Sequence, residues 1–284
     1  MPKHIKQLLP KLNNLLDILL YLHGSRSIMT LYEAAILGIV EGVTEYLPVS
    51  STAHIALTSQ IMGVAQDDFM NSFNIIIQIA PIFSVMIIYF NTLFHSLEIW
   101  KKLIVSFIPT GAIGFLFHKQ IETMFSANSI VLWMIATGIF FLIIEFLYTR
   151  RGHTTVDLDQ VSYKQALSIG FIQALSLIPG VSRSGSTILG GMLLGMKREL
   201  SMSFSFLLAI PTMTAASGYT LLKEYSTFSS DGLGVIAVGF VVSFIVGWAA
   251  VKSFLAIVSR YNFTPFGIYL IASGILFGLF GVEL

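Results

Sequence analysis

Six apolar segments, each close to the length that crosses a bilayer, constrain this chain more than any other feature. A transmembrane helix needs about 20 predominantly apolar residues. The segments lie at about 73–90, 102–118, 128–148, 202–222, 233–256 and 264–281. The 284 residues are 55% hydrophobic and only 11% charged, whereas soluble domains carry about 25% charged residues. This pattern predicts an all-α polytopic membrane protein.

The composition gives no support to nucleic-acid binding or to cysteine chemistry. The net charge of +1 gives no sign of a nucleic-acid partner. The chain has no cysteine, which excludes disulfides and thiolate chemistry and leaves the compartment open.

Each half of the chain also contains a pair of short helical segments interrupted by a polar turn. The pairs are 31–47 with 52–62, broken at Pro48, and 163–178 with 186–196, broken at Pro179–Gly180. These segments are too short to cross the bilayer alone. Broken backbone at membrane depth is tolerated only where it is buried in protein or lines a wet cavity. We therefore predict two re-entrant hairpins.

The two halves form an internal repeat. A shift of 132 positions (170 − 38) superposes related residues, namely Gly38 on Gly170, Glu41 on Gln173, Val49 on Val181 and Ser50 on Ser182. Repeat one covers about 31–148 and repeat two about 163–284. Each unit has one hairpin and three crossing helices, so the second unit must be inverted. The hairpins then enter from opposite faces and meet near the midplane, as in the inverted-repeat folds of secondary transporters.

Residues 1–28 differ from the membrane domain that we assign to 29–284. Leucines recur at helical spacing among lysines, which is typical of an amphipathic helix on a membrane surface. A signal peptide is the alternative, but Asp17 interrupts the apolar run and no A-x-A site follows. Met29 is a plausible alternative start.

Loop charges indicate an orientation. Basic residues are more frequent in cytoplasmic loops. One face carries nine: Lys101, Lys102, Arg150, Arg151, Lys164, Lys197, Arg198, Lys252 and Arg260. The other carries six: Lys3, Lys6, Lys11, Arg26, Lys119 and Lys223. The count favours an active site that faces the extracytoplasmic side, although the basic extension argues the other way.

Glu41 and Glu45 are the first candidate site residues. A spacing of four puts both carboxylates on one helical face, among apolar neighbours. Two ionised carboxylates this close in a low dielectric are costly, so either one is protonated or a cation lies between them. Oxygen ligands favour Mg²⁺ or Ca²⁺. The alternative is an ordinary pair on a solvated helix.

Polar side chains of the two turns complete the candidate site. Ser50 and Ser51 open a helix, where free N–H groups can bind an anion or the hydroxyls can simply cap the helix. His54 follows, with either a catalytic or a structural hydrogen-bonding role. Arg183 has a planar guanidinium that suits a phosphate, although it could instead serve the positive-inside bias. Further hydroxyls surround the arginine, at Ser182, Ser184, Ser186 and Thr187. These groups match a phosphate-bearing ligand, and the membrane setting implies a lipid tail.

Two stretches resemble the signatures of a known family. EGVTEYLPVSSTAH, residues 41–54, and PGVSRSGST, residues 179–187, closely resemble those of the undecaprenyl-diphosphate phosphatases, the bacitracin-resistance family. The resemblance runs from about Met29 to the C-terminus. It implies hydrolysis of a polyprenyl diphosphate lipid, recycling of the carrier for cell-wall synthesis, a bacterial plasma-membrane location, six transmembrane helices with two re-entrant hairpins, and a divalent cation.

The resemblance also implies residue roles. Glu41 and Glu45 would bind metal or act as acid and base, and Ser50 and Ser51 would contact phosphate, with Ser51 a candidate nucleophile. His54 would be a nucleophile or general acid. The diphosphate clamp would comprise Ser182, Arg183 and Thr187, with Ser184 beside them. Gln78, a lone amide in an apolar span, is added here from its expected burial alone.

A polyprenyl-phosphate transporter or flippase fits the inverted repeat equally well. The sequence also leaves open whether the chain is a monomer or a homodimer, which group attacks phosphorus and which cation is native.

Overall fold

The computed structural model describes residues 29–124, 126–148, 154–224, 232–258 and 262–280. The predicted amphipathic extension, 1–28, lies outside these ranges. Within them the chain is almost entirely helical. The α-helices in order are α1 (Leu31–Thr44), α2 (Ser51–Met62), α3 (Asp68–Ile88), α4 (Phe90–His95), α5 (Leu97–Leu116), α6 (His118–Glu122), α7 (Ala127–Tyr148), α8 (Tyr163–Gln173), α9 (Arg183–Leu193), α10 (Arg198–Glu224), α11 (Leu233–Val258) and α12 (Thr264–Phe280).

Five of these helices are long and apolar enough to cross a membrane: α3, α5, α7, α10 and α11. The sixth predicted span, α12, is apolar but shorter. An all-α polytopic membrane protein is therefore confirmed, whereas the crossing by α12 stays a prediction. Two spans begin about five residues earlier than predicted. In both, a polar side chain caps the helix: Asp67 accepts from the Met70 N–H and Ser96 from the Ile99 N–H.

The first helix of each predicted repeat packs on a long helix of the other repeat. Helix α1 packs on α11, and its repeat counterpart α8 packs on α5. Repeat-related glycines permit both contacts. A Cβ on Gly38 would lie 2.6 Å from the Gly239 carbonyl oxygen, and one on Gly170 would lie 2.1 Å from that of Ser106. Small residues at such crossings let helix backbones approach closely in membranes.

The interrupted segments have both buried and exposed faces. Helix α1 ends at Thr44, and α2 begins at Ser51 after a turn. In repeat two, a 3₁₀ turn over Ala174–Leu177 follows α8, and α9 begins at Arg183, three residues before the predicted 186. The earlier start has a physical cause, since the Ser182 hydroxyl accepts the Gly185 N–H and caps the helix. Helix α9 is buried from Ser184 to Met192, and the re-entrant course of the two hairpins stays a prediction.

Candidate functional site

The two hairpin turns meet at an ion pair. Arg183 Nη2 donates to Glu45 Oε1 at 2.8 Å, and the two side chains are only 11% and 5% exposed. The residues are 138 positions apart. Ser51 Oγ donates to the other oxygen of Glu45 at 2.8 Å. The first turn of α2, the end of α1 and the start of α9 therefore share one carboxylate.

Arg183 is held on two further sides. Its Nη1 donates to the Ser205 carbonyl oxygen of α10 at 3.2 Å, and its guanidinium lies over the Tyr46 ring at 5.4 Å. The Nε–H is buried and has no hydrogen-bond partner among the described residues. A buried donor without a partner is costly, so this nitrogen is a natural point for an anionic ligand to bind.

Glu41 is fully buried, and neither of its carboxylate oxygens has a hydrogen-bond partner among the described residues. Its carboxyl group lies beside that of Glu45. Two ionised carboxylates can only accept hydrogen bonds, so this proximity needs either a proton on one of them or a cation. No group of three or more His, Cys, Asp or Glu residues could hold a metal ion in the described part of the chain. Any ion here would need oxygens from a ligand or from water.

The hydroxyls around α9 are largely engaged with protein atoms. Ser184 Oγ donates to the Leu47 carbonyl oxygen at 3.0 Å and lies 3.1 Å from Ser182 Oγ. Thr187 Oγ1 donates to the Arg183 carbonyl oxygen at 3.0 Å and shares a 2.6 Å hydrogen bond with Ser205 Oγ. These bonds fix α9 against the first hairpin and α10. Contact of Ser184 or Thr187 with a ligand would require an exchange of these bonds.

His54 is hydrogen-bonded to two other groups. Its Nδ1 is 2.9 Å from the Ser50 carbonyl oxygen, and its Nε2 is 2.7 Å from the Tyr269 hydroxyl. Between described residues, no hydrogen bond joins His54 to Glu41, Glu45 or Arg183. The role of His54 in catalysis stays a prediction.

Ser50 has an unusual backbone. It precedes α2 with φ 67° and ψ 87°, and it is the one non-glycine residue with a positive φ in the described ranges. Such a conformation costs of order 1–3 kcal/mol and is found where surrounding structure enforces it. The Ser50 side chain does not cap α2, so N–H groups at this helix start are not satisfied by it.

Sequence reasoning missed three residues at the site. Tyr46 is fully buried beneath Arg183, Ser205 binds both Arg183 and Thr187, and Tyr269 binds His54. Tyr46 lies within the first motif, whereas Ser205 and Tyr269 lie outside both motifs. Tyrosine and serine also occur elsewhere in the apolar spans, so residue type alone does not mark these positions. Gln78, in contrast, is partly buried on α3 with no contact to the cluster among the hydrogen bonds of the described chain.

An apolar cavity of about 410 Å³ lies between α5 and α10. Its walls include Phe107, Gly114, Leu177, Thr212 and Ala216.

The floor of this cavity adjoins the second hairpin. Gln173 Nε2 donates to Thr110 Oγ1 at 3.0 Å and to Thr212 Oγ1 at 3.2 Å. The positions that carry Glu41 and Glu45 in repeat one thus carry Gln173 and Leu177 in repeat two, beside an apolar space.

The fold and the site together define a polytopic α-helical membrane protein with a buried carboxylate–arginine cluster between two interrupted helix pairs. Residues 34–276 match the family described as bacitracin resistance protein BacA. The chain belongs to this family.

Curated relatives align over most of the chain. An undecaprenyl-diphosphatase of Wolinella succinogenes is 49% identical over 256 residues, 90% of this chain and 100% of the relative. Proteins of the same name are 45% identical in Persephonella marina, over 89% of this chain and 99% of that protein, and 44% identical in Methanococcus aeolicus, over 90% and 100%.

Proposed function

We propose that this protein hydrolyses undecaprenyl diphosphate to undecaprenyl phosphate and inorganic phosphate. The reaction recycles the lipid carrier of peptidoglycan synthesis and confers bacitracin resistance. The observation that carries the proposal is the buried Glu45–Arg183 pair, with Glu41 and the Arg183 Nε–H left without partners beside it. Family membership and the names of the relatives support the same reaction.

The cluster suits phosphoryl transfer, which depends mainly on positioning and charge neutralisation. In the proposed reaction the P–O–P bridge breaks, water supplies the oxygen that ends in inorganic phosphate, and undecaprenyl phosphate leaves. Arg183 binds the diphosphate oxygens through its free Nε–H. Ser50 and Ser182 contact phosphate, with Ser184 and Thr187 behind them. Ser51 or His54 attacks the terminal phosphorus or orients the attacking water.

Glu41 and Glu45 are proposed to hold Mg²⁺ or Ca²⁺ when the diphosphate is bound. The donor set fits a Mg²⁺ ion bound by one or two carboxylates and completed by substrate phosphates and water. The orphaned Glu41 oxygens are consistent with this assignment. The ion would supply charge neutralisation at the phosphates. Without an ion, the same carboxylates would serve as acid and base.

The proposed location is the bacterial plasma membrane, with the active site facing the extracytoplasmic side as the loop charges favour. The partner is the polyprenyl lipid itself. A homodimer stays a prediction, as does a role for Gln78 in lining the site.

We assign the substrate tail to the α5–α10 cavity. Its volume lies within the range of small-molecule pockets. The hydroxyls of Thr110 and Thr212 are hydrogen-bonded to Gln173, and that of Thr220 donates to the Ala216 carbonyl oxygen, which leaves a mainly apolar surface. Along α10, Thr212 is about 10 Å from Ser205, which binds Arg183. The cavity therefore lies within reach of a lipid whose head group is on the arginine.

Release of inorganic phosphate from undecaprenyl diphosphate by the purified protein tests the reaction. We expect turnover in detergent that stops with EDTA and returns with Mg²⁺ or Ca²⁺. Folded protein that releases no phosphate, but moves the lipid across vesicle membranes, would instead establish the transporter alternative. Turnover that persists in EDTA would keep the enzyme and make the glutamates acid/base groups.

A bulky side chain in the cavity tests the tail assignment. Ala216→Phe should raise KM for the full-length substrate and leave KM for a short-tailed isoprenyl diphosphate unchanged. The control is Gly218→Leu on the same helix, where an added Cβ meets no atom within 4 Å. Equal effects on both substrates would remove the tail from this cavity.

A further inference from the structure

The His54 ring is held in one tautomer. Its Nδ1 faces the Ser50 carbonyl oxygen at 2.9 Å, and a carbonyl oxygen can only accept a hydrogen bond. In the neutral ring, Nδ1 therefore carries the proton and Nε2 carries the lone pair. The left-handed backbone of Ser50, φ 67°, is the conformation in which this carbonyl group faces the imidazole.

The lone pair of His54 has a specific partner. Tyr269, on the last described helix, places its hydroxyl 2.7 Å from Nε2, so the phenol donates to the ring nitrogen. The two rings are stacked with a 5.6 Å centroid separation and an 11° interplanar angle. Phe277 packs edge-on against the imidazole at 5.5 Å. Hydrogen bonds at both nitrogens and two aromatic contacts thus define the ring orientation.

From this arrangement we infer that Tyr269 is a positioning residue for His54. It keeps the Nε2 lone pair directed to one point, from which the ring can accept a hydrogen bond from water or attack phosphorus once the phenol moves aside. Tyr269 is 46% exposed, so its hydroxyl can move aside without leaving a buried donor unpaired. The inference rests on the proposed phosphatase activity, because a positioned imidazole matters only if His54 takes part in turnover.

Tyr269→Phe removes the hydroxyl and retains the stacked ring. We expect kcat to fall about three- to tenfold, the range of one net hydrogen bond, with KM and thermal stability unchanged. The matched control is Tyr32→Phe, an exposed tyrosine at the start of α1, which should behave as wild type. An unchanged kcat in Tyr269→Phe, or a change in KM alone, would overturn the inference.

Nitrogen-15 NMR of histidine-labelled protein reads the ring directly, with His54→Gln identifying the signal. Wild type should show a protonated Nδ1 and a hydrogen-bonded, unprotonated Nε2. In Tyr269→Phe the Nε2 resonance should move toward that of a nitrogen without this donor. A proton on Nε2 in the neutral wild-type ring, or an Nε2 signal indifferent to the substitution, would refute the positioning role. The NMR signal can be read in protein that does not turn over. It therefore tests the role of Tyr269 separately from the proposed phosphatase activity.

Discussion

Replacement of Arg183 by glutamine should destabilise the protein as well as inactivate it. The arginine neutralises a carboxylate that is 5% exposed, and Glu41 beside it is fully buried. Without the guanidinium, the Ser51 hydroxyl is the remaining hydrogen-bond donor to Glu45 among the described residues. A buried carboxylate that loses its counter-ion is strongly destabilising, because nothing then compensates the free energy lost when it was removed from water.

The expected size of this effect follows from burial. Removal of one partner of a buried ion pair costs about 3–5 kcal/mol. For chains of 150–250 residues, 1 kcal/mol corresponds to about 2–4 °C in Tm. We therefore expect Arg183→Gln to lower the apparent Tm by on the order of 10 °C.

The double variant Glu45→Gln/Arg183→Gln separates stability from catalysis. Because it removes both charges, it should recover most of the lost Tm while phosphate release stays absent. Intrinsic tryptophan fluorescence in detergent, at one scan rate for all variants, measures the transition. If Arg183→Gln unfolds at the wild-type temperature and the second substitution adds nothing, the two groups do not form a buried pair in the native protein.

Three further predictions concern the scaffold. Gly170→Ala should lower Tm by several degrees because its Cβ would lie 2.1 Å from a backbone oxygen of α5, whereas Gly218→Ala, with nothing within 4 Å, should leave Tm unchanged or slightly higher. Glu145→Gln should destabilise the protein by about 3 kcal/mol, because Arg198 would lose its buried partner, and chemical unfolding in mixed micelles measures the loss. Glu98→Ala removes an exposed ion pair with Lys101, which solvent screens, and should leave unfolding in the same assay close to that of the wild type.

The meeting of the two hairpins could be predicted because charge in a bilayer is expensive. Glu45 and Arg183 lie in apolar surroundings, and each needs a partner of opposite charge. The predicted repeat places their turns at equivalent positions, and an inverted arrangement of the two units would bring them together. The same reasoning could not predict Ser205 as a backbone partner of Arg183, because any residue type supplies a carbonyl group.

The hydrogen-bond partner of His54 could not be predicted from the sequence. The helix that begins at Ser51 directs the imidazole toward α12, where the Tyr269 hydroxyl meets it. Tyr269 lies 215 positions away in an apolar run of ordinary composition. Long-range packing brings the pair together, and periodicity carries no information about such contacts. Helices α3, α5 and α9 begin earlier than the sequence predicted because polar capping residues extend them beyond the apolar segments.

The most direct test of the carboxylate–arginine site is kcat for phosphate release by purified Glu41→Gln on undecaprenyl diphosphate. The substitution keeps the side-chain shape and removes a buried carboxyl group whose oxygens have no hydrogen-bond partner among the described residues. The account predicts the loss of at least two orders of magnitude in kcat, a typical effect of removing a catalytic acid or base, while Glu98→Gln on the exposed start of α5 keeps wild-type activity. A Glu41→Gln protein that folds and turns over like wild type would show that the reaction takes place elsewhere.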